Sequence, residues 1–487
     1  MGRKLSLSEI NQNIQSRKNE GEKKGKENNE KRIKNCNFAP LKFKRIKNTD
    51  MKKNTPIPAE IADKILAESG IKSVGKASIR EIKKLINDIE KASGEKFIRM
   101  EMGVPGLPAC KIGVDAQIKA LESGCAAIYP DIDGIPELKS EASKFIKNYI
   151  NLDVAPAGCI PTVGSMMGGM ASFMTLVRAR KERDTTLFID PGFPVQKNQH
   201  KVMGLKYETF DVYDYRGDKL RDKLKSYLDK GNIHSIIYSN PNNPAWICLT
   251  DKELRIIGEL ANEYDVCVLE DLAYFGMDFR ADISKPGEAP YQPSVGHYTD
   301  NYALLISSSK AFSYAGERIS ILAISDKMYN REFPDLVPYF GTPKLGRAII
   351  YGTVYAISSG TSHSAQYALA AILKACNEGT YNFRNDVLQY GEKARLMKEA
   401  FVENGFKIVY DKDEDKPVSD GFYFTIAYPG LSGDELLKEF LYYGISAISL
   451  EITGSLRTEG LRACVSFVPM EAIPTLRERL AQFKANH

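Results

Sequence analysis

Apolar residues follow two different periods along this chain, and the stretches where each period holds predict its elements. Between Pro56 and Lys96, Ile61, Ile65 and Leu66, then Ile79, Ile82, Leu85 and Ile86, recur at three- and four-residue spacing, the signature of one helix face. The turn-rich loop Gly103-Val104-Pro105-Gly106-Leu107-Pro108 interrupts them. Helical spacing resumes over Ile112–Leu121 and Leu138–Tyr149, on either side of the irregular Tyr129–Gly134. Past Thr162 the pattern changes to short continuous apolar runs: Leu187–Asp190, Ile236–Ser239, Val266–Leu269, Ala303–Ile306 and Ile319–Ile324. Such runs read as strands buried on both faces. Helical stretches lie between them, one opened by Thr250-Asp251 with Glu253 placed for a capping box and running to Tyr264. This alternation predicts an α/β fold, a large and mainly parallel sheet covered by helices.

Beyond Asp326 the order is different. Gly346–Ser358, Ser364–Cys376 and Phe383–Asn404 read as helices, followed by strands at Lys407–Tyr410 and Gly421–Ile426. A helix over Gly433–Tyr443, a strand near Ile445–Leu450, a strand Leu461–Phe467 carrying one arginine and a closing helix complete a smaller α+β block. No internal repeat is visible.

Charge alters this picture at one end only. Residues 1–54 hold 16 Lys/Arg against 6 Asp/Glu, so the chain's net charge of +5 leaves the remainder at −5. The tail is polar and poor in aromatics, which predicts a disordered basic segment that cannot bury enough surface to order itself. Met51-Lys52-Lys53 within it also reads as an alternative start. A mildly acidic body argues against a nucleic-acid-binding function. No apolar run is long enough to span a bilayer, so no membrane partner is expected. The eight cysteines are scattered without ligand spacing, which favours a reducing, cytoplasmic setting. None of the five histidines falls in a motif, and no metal site is predicted.

Candidate chemistry gathers where the predicted strands end. In parallel sheets the functional loops lie outside the strands' carboxyl ends, and here successive ends deliver Asn243, then Asp271 with Tyr274, then Lys310. Lys310 stands in Ser307-Ser308-Ser309-Lys310, with Arg318 eight residues on. A lysine so placed can form a Schiff base with an aldehyde, and an arginine nearby can bind a phosphate. Gly164-Ser165-Met166 opens a helix, where free backbone N–H groups and the dipole favour an anion; close packing of a glycine-containing helix with Ser165 as its N-cap is the ordinary alternative. Taken singly, each motif has an ordinary account in turn chemistry, capping or packing.

Together, Gly164-Ser165, Phe193, Asn-Pro-x-Asn-Pro at Asn240–Pro244, Asp271-x-x-Tyr274, Ser307-x-x-Lys310, Arg318 and Arg462 resemble the class I/II aminotransferases of fold type I, which depend on pyridoxal 5'-phosphate. The resemblance runs from Pro56 to the end. It implies a large cofactor domain over 111–358 and a small domain made from 55–110 and 359–487. It implies that Lys310 carries the cofactor aldehyde as a Schiff base and then acts as base and acid, and that Asp271 pairs with the pyridine nitrogen. Tyr274 and Asn243 would bond the phenolic oxygen, with Asn243 also at the substrate. Gly164, Ser165, Met166, Ser307 and Arg318 would hold the phosphate, and Phe193 would stack on the ring. Arg462 would grip the substrate carboxylate, with Arg457 as a nearby competitor, and Gly103 would lie beside the substrate. Tyr129 would reach the phosphate of a partner subunit, which implies a homodimer with shared sites.

The implied activity is transfer of an α-amino group from an amino acid to a 2-oxo acid by a ping-pong mechanism. The same fold also serves C–S lyases and decarboxylases, and more remotely cofactor-binding regulators. One departure stands out. Pro244 is followed by Ala245-Trp246-Ile247 where many relatives carry Thr-Gly. Trp246, the chain's single tryptophan, is therefore expected to pack beside the cofactor turn or to shape the pocket.

Overall fold

Seven strands make the main sheet in the computed structural model, which describes residues 55–487. The predicted tail at 1–54 lies outside the described residues. The strands are β1 (Cys159–Val163), β2 (Thr185–Asp190), β3 (Lys206–Asp211), β4 (Ile233–Ser239), β5 (Cys267–Leu272), β6 (Tyr302–Ser307) and β7 (Ile319–Ile324). Their order across the sheet is β1-β7-β6-β5-β4-β2-β3. All neighbours pair in parallel except at β7, which runs antiparallel to both β1 and β6. Reversal of that single strand leaves the carboxyl ends of the other six on one rim.

Both faces of the sheet are buried, as the unbroken apolar runs require. Along β6 the side chains of Tyr302, Leu304 and Ile306 join one core, and Ala303 and Leu305 join the core on the other face. A third core unites the N-terminal helices Ala59–Glu68 and Ile79–Ser93 with the C-terminal block, through Ile82, Leu85, Ile86, Phe401, Phe440 and Phe483. A four-stranded antiparallel sheet lies in this block: β8 (Lys407–Ile408), β9 (Tyr423–Ala427), β10 (Ile448–Ser449) and β11 (Leu461–Cys464), in the order β10-β11-β9-β8. The expected fold, a large covered sheet with a smaller α+β part drawn from both ends of the chain, is the one observed.

Several elements differ from their predicted form. The strand expected near Ile445–Leu450 is two short strands: Ile445–Ser446 pairs in parallel with Ile98–Arg99, and β10 pairs with β11. The helix expected over Gly346–Ser358 contains a π-helical stretch, Ala348–Val354, and apolar spacing carries no signal for that wider turn. Strands at Lys407 and Leu461 stop earlier than predicted, at Ile408 and Cys464. The two sheet strands absent from the prediction, β1 and β3, are the edges. β1 contains Pro161, which an edge tolerates, and β3 is exposed or half-buried over Lys206–Thr209 and buries only Phe210 and Asp211. The capping box at Thr250 and Glu253 is present with both of its hydrogen bonds. No helix among the described residues is long and apolar enough to cross a membrane.

Candidate active site

The shared rim assembles the predicted residues strand by strand. After β1, helix α1 (Gly164–Leu176) begins at Gly164 in the left-handed region, φ +67°, with no side chain capping its first turn. Glycine is needed there for a second reason as well. A Cβ at Gly164 would overlap the Arg318 guanidinium, whose Cζ lies 3.0 Å from that position. Ser165 is the second helical residue and not the N-cap, which corrects the capping alternative. Its Oγ is buried without a hydrogen-bond partner. Free N–H groups, an orphaned hydroxyl and a guanidinium thus converge on one point, the donor set a phosphate needs. Met166 lies in the same turn, its carbonyl taken by Gln199 Nε2 at 2.9 Å.

From β2 the turn Asp190–Phe193 leads into helix α2 (Pro194–Met203), with half-buried Phe193 as its N-cap. Gln196 in the first turn of α2 donates to Asp271 Oδ2 at 2.9 Å. Asp271 lies near the end of β5 and accepts a second bond from the Ala273 N–H at 3.1 Å. Burial pushes its carboxyl up to about 6, and the two hydrogen bonds pull the other way. It remains an ionised carboxylate at neutral pH, suited to hold a proton on a facing aromatic nitrogen.

Ser307 ends β6, and its hydroxyl accepts the Ser309 N–H at 3.1 Å, which starts the short helix Ser308–Ala311. That helix carries Lys310. Its Nζ donates to the Gly103 carbonyl at 2.6 Å and lies 5.6 Å from the centroid of the Phe422 ring. Burial lowers the Lys310 ammonium to about 8, and Arg318 and Arg462 act in the same direction. A substantial fraction of neutral amine near physiological pH follows.

The C-terminal block contributes Arg462 from β11. It is 2% exposed, donates to the Glu101 carbonyl at 2.5 Å and to Asn243 Oδ1 at 3.4 Å, and leaves its Nε without a partner. Arg457, the competing arginine, is committed elsewhere, to Asp214 at 2.6 Å and Asp211 at 3.4 Å. Tyr274 meets Tyr423 hydroxyl to hydroxyl at 2.6 Å. Trp246 is fully buried at φ +64°, edge-on to Tyr274 with ring centroids 5.5 Å apart, and donates Nε1 to Ser419 Oγ at 3.1 Å. It therefore packs behind the tyrosines, as the first of its two expected roles required. Tyr129 stands apart, 90% exposed in the single chain.

Two residues that sequence reasoning passed over belong to this set. Gln196 follows Phe193 by three positions, one helical turn, and that spacing was the available signal. Tyr423 sits in a predicted strand where an aromatic reads as core, and only the fold reveals its hydroxyl contact.

Residues 95–483 match the family model "Aminotransferase class I and II". The chain belongs to that family. This aminotransferase is 26% identical over 380 residues to a probable aspartate aminotransferase of Methanocaldococcus jannaschii, covering 77% of this chain and 88% of that one. It is 24% identical to an aspartate aminotransferase of Pyrococcus horikoshii, over 63% of this chain and 73% of the relative. Among solved structures, an alanine aminotransferase from Pyrococcus furiosus superposes with a TM-score of 0.70 at 19% identity, covering 85% of this chain and 98% of that one. Members of the family depend on pyridoxal phosphate, so this enzyme is a pyridoxal-phosphate-dependent transaminase. The residues present fit that cofactor: an anion cradle at Ser165, a half-buried lysine of lowered pKa, and a carboxylate at the neighbouring strand end.

Proposed function

We propose that this aminotransferase moves the α-amino group of an amino acid to a 2-oxo acid in two half-reactions, using Lys310, Asp271 and Tyr274 as its catalytic residues. The observation that carries the reading is the convergence of Lys310, Asp271 and the Gly164–Arg318 cradle on one rim of the sheet. When bound, pyridoxal phosphate supplies an aldehyde that takes up the amino group and an electron sink for the breaking Cα bond.

The protein's part is to bind, orient and move protons. The N–H groups of Gly164, Ser165 and Met166, the hydroxyls of Ser165 and Ser307 and the Arg318 guanidinium hold the phosphate. Phe193 covers one ring face, which needs no polar handle. Asp271, held by Gln196 and the Ala273 N–H, keeps a proton on the ring nitrogen; the positive charge it faces draws its own pKa back down. Tyr274 and Asn243 donate to the phenolic oxygen. Arg462 takes the substrate carboxylate with its unpartnered Nε and its outer nitrogens, beside Asn243 and Gly103. That grip would orient the substrate so that its Cα–H bond faces Lys310, whose neutral amine would take that proton and deliver it to C4′ of the cofactor, on the far side of the transferred nitrogen.

Residues 111–358 would form the cofactor domain, with 55–110 and 359–487 as the small domain; the N-terminal helices share their core with the C-terminal block. Tyr129 reaches outward to a partner subunit's phosphate in a homodimer, in keeping with its exposure. A cytoplasmic setting accords with seven free, buried cysteines among the described residues.

A donor screen tests the reaction. Amino acids offered singly are expected to convert the loaded enzyme to its amino form, which 2-oxo acids then return to the starting spectrum. Release of ammonia and a 2-oxo acid with no acceptor present would replace transamination by elimination. Ser165→Ala is expected to weaken cofactor binding about 10-fold, the worth of one hydrogen bond to a charged group, in an absorbance titration of cofactor-free protein.

A further inference from the structure

We infer that Tyr423 is a positioning residue for this reaction, donating its phenolic proton to Tyr274 so that Tyr274 can donate its own to the cofactor's phenolic oxygen. The inference rests on the proposed contact of Tyr274 with that oxygen and concerns what sets the direction of its proton.

Tyr274 comes from the turn after β5 and Tyr423 from β9 of the small sheet, and their hydroxyl oxygens lie 2.6 Å apart. A phenol has one proton and two lone pairs. Of the two ways to place the proton in this bond, one spends the Tyr274 proton on Tyr423 and leaves nothing for a third group. The other keeps it. Both rings are buried, and burial pushes both phenols well above their ordinary value, so each holds its proton throughout the working pH range.

The charged and titratable groups facing the pair are Arg462 and Cys464. The Arg462 guanidinium lies over the Tyr423 ring, 4.5 Å from its centroid. The same cation favours ionisation of both phenols, but it lies over the Tyr423 ring and is the foremost charge acting on it, which makes Tyr423 the more acidic phenol and therefore the donor. The hydroxyl that receives a hydrogen bond is itself a stronger donor, so the bond from Tyr423 sharpens the one from Tyr274.

The surroundings hold this geometry. Trp246 packs edge-on behind both rings, with centroids 5.5 Å from Tyr274 and 6.1 Å from Tyr423. The Tyr423 hydroxyl occupies the space a Cβ at position 103 would need, which accounts for Gly103 without a ligand. The carbonyl of that same Gly103 receives Lys310. Tyr423 thereby touches the residue that anchors the amine, the arginine proposed for the carboxylate and the tyrosine proposed for the phenolic oxygen.

The test is a pH titration of the visible absorption band in full-length enzyme loaded with pyridoxal phosphate. Tyr274→Phe is expected to raise the apparent pKa of the band most. Tyr423→Phe is expected to raise it by about 0.5 pH unit, the size of one neutral hydrogen bond. The double variant should shift no further than Tyr274→Phe alone, because Tyr423 acts through Tyr274. Tyr423→Phe keeps the ring beneath Arg462, so KM for the amino donor should stay within about 2-fold of wild type, whereas Tyr423→Leu should raise it. If Tyr423→Phe does not fold, Gly103→Ala, whose methyl displaces the Tyr423 hydroxyl, should give the same upward shift. A shifted Tyr274→Phe beside an unshifted Tyr423→Phe overturns the relay alone, as does a double variant equal to the sum of the singles. An unshifted Tyr274→Phe overturns the underlying contact, and the relay with it.

Discussion

Lys310→Ala is expected to leave a folded protein that neither shows the visible absorbance of the bound cofactor nor incorporates it on borohydride reduction. Transamination should fall by at least ~10³-fold, since the variant loses both a covalent anchor and the proton-moving amine. The fold should survive. Lys310 sits on a four-residue helix capped by Ser307, and its side chain donates to the Gly103 carbonyl. Removing an amine whose pKa desolvation has lowered to about 8 also relieves that penalty. Retained trapping by borohydride in the variant would move the aldehyde-binding role to another lysine.

Asp271→Asn is expected to lower kcat/KM by about 10²–10³-fold while stabilising the cofactor-free protein above pH 6. The two effects share one cause. Burial raises the Asp271 carboxyl from 3.8 to about 6, so the folded state binds its proton more tightly than the unfolded chain does. The stability this group contributes is full below about pH 4 and is lost as pH rises through about 6. At pH 8 the cofactor-free wild type therefore carries a penalty of up to about 3 kcal/mol that an uncharged asparagine avoids. Thermal melts at pH 8 should favour Asp271→Asn, with the difference shrinking towards pH 5. A variant less stable at pH 8 would show that the bonds from Gln196 and the Ala273 N–H outweigh the desolvation. Retained activity would remove Asp271 from the ring nitrogen.

Much of this was legible in the sequence because buried parallel strands leave an unmistakable pattern. Ile319–Ile324 was readable to the residue, and β2, β4, β5 and β6 differed only at their ends, since apolar runs fix the middle of a strand better than its limits. Edge strands escaped because they obey a different rule: β1 tolerates a proline, and β3 lacks an apolar run because its first four residues are not buried. For the candidate site, the strand-end residues were legible because topology places them on one rim. Gln196 and Tyr423 were not found, since a glutamine in a helix and a tyrosine in a strand have no local mark of function. Arg462 and Arg457 were separable only in three dimensions, where Asp211 and Asp214 claim the second and leave the first with a free Nε.

The pairing of Ile98–Arg99 with Ile445–Ser446 has a consequence for synthesis on the ribosome. All seven strands of the main sheet lie between Cys159 and Ile324, so that sheet can be complete while the last third of the chain is still being made. The segment that precedes it cannot settle: its helices bury Ile82, Leu85 and Ile86 in one core with Phe440 and Phe483, which are made only after the whole sheet. Its apolar face must wait, exposed, for a partner more than three hundred residues downstream. Arg462 arrives with that partner. The nascent chain can therefore complete its large sheet before it contains the arginine proposed for the substrate carboxylate, and its N-terminal helices stay without their apolar partners throughout.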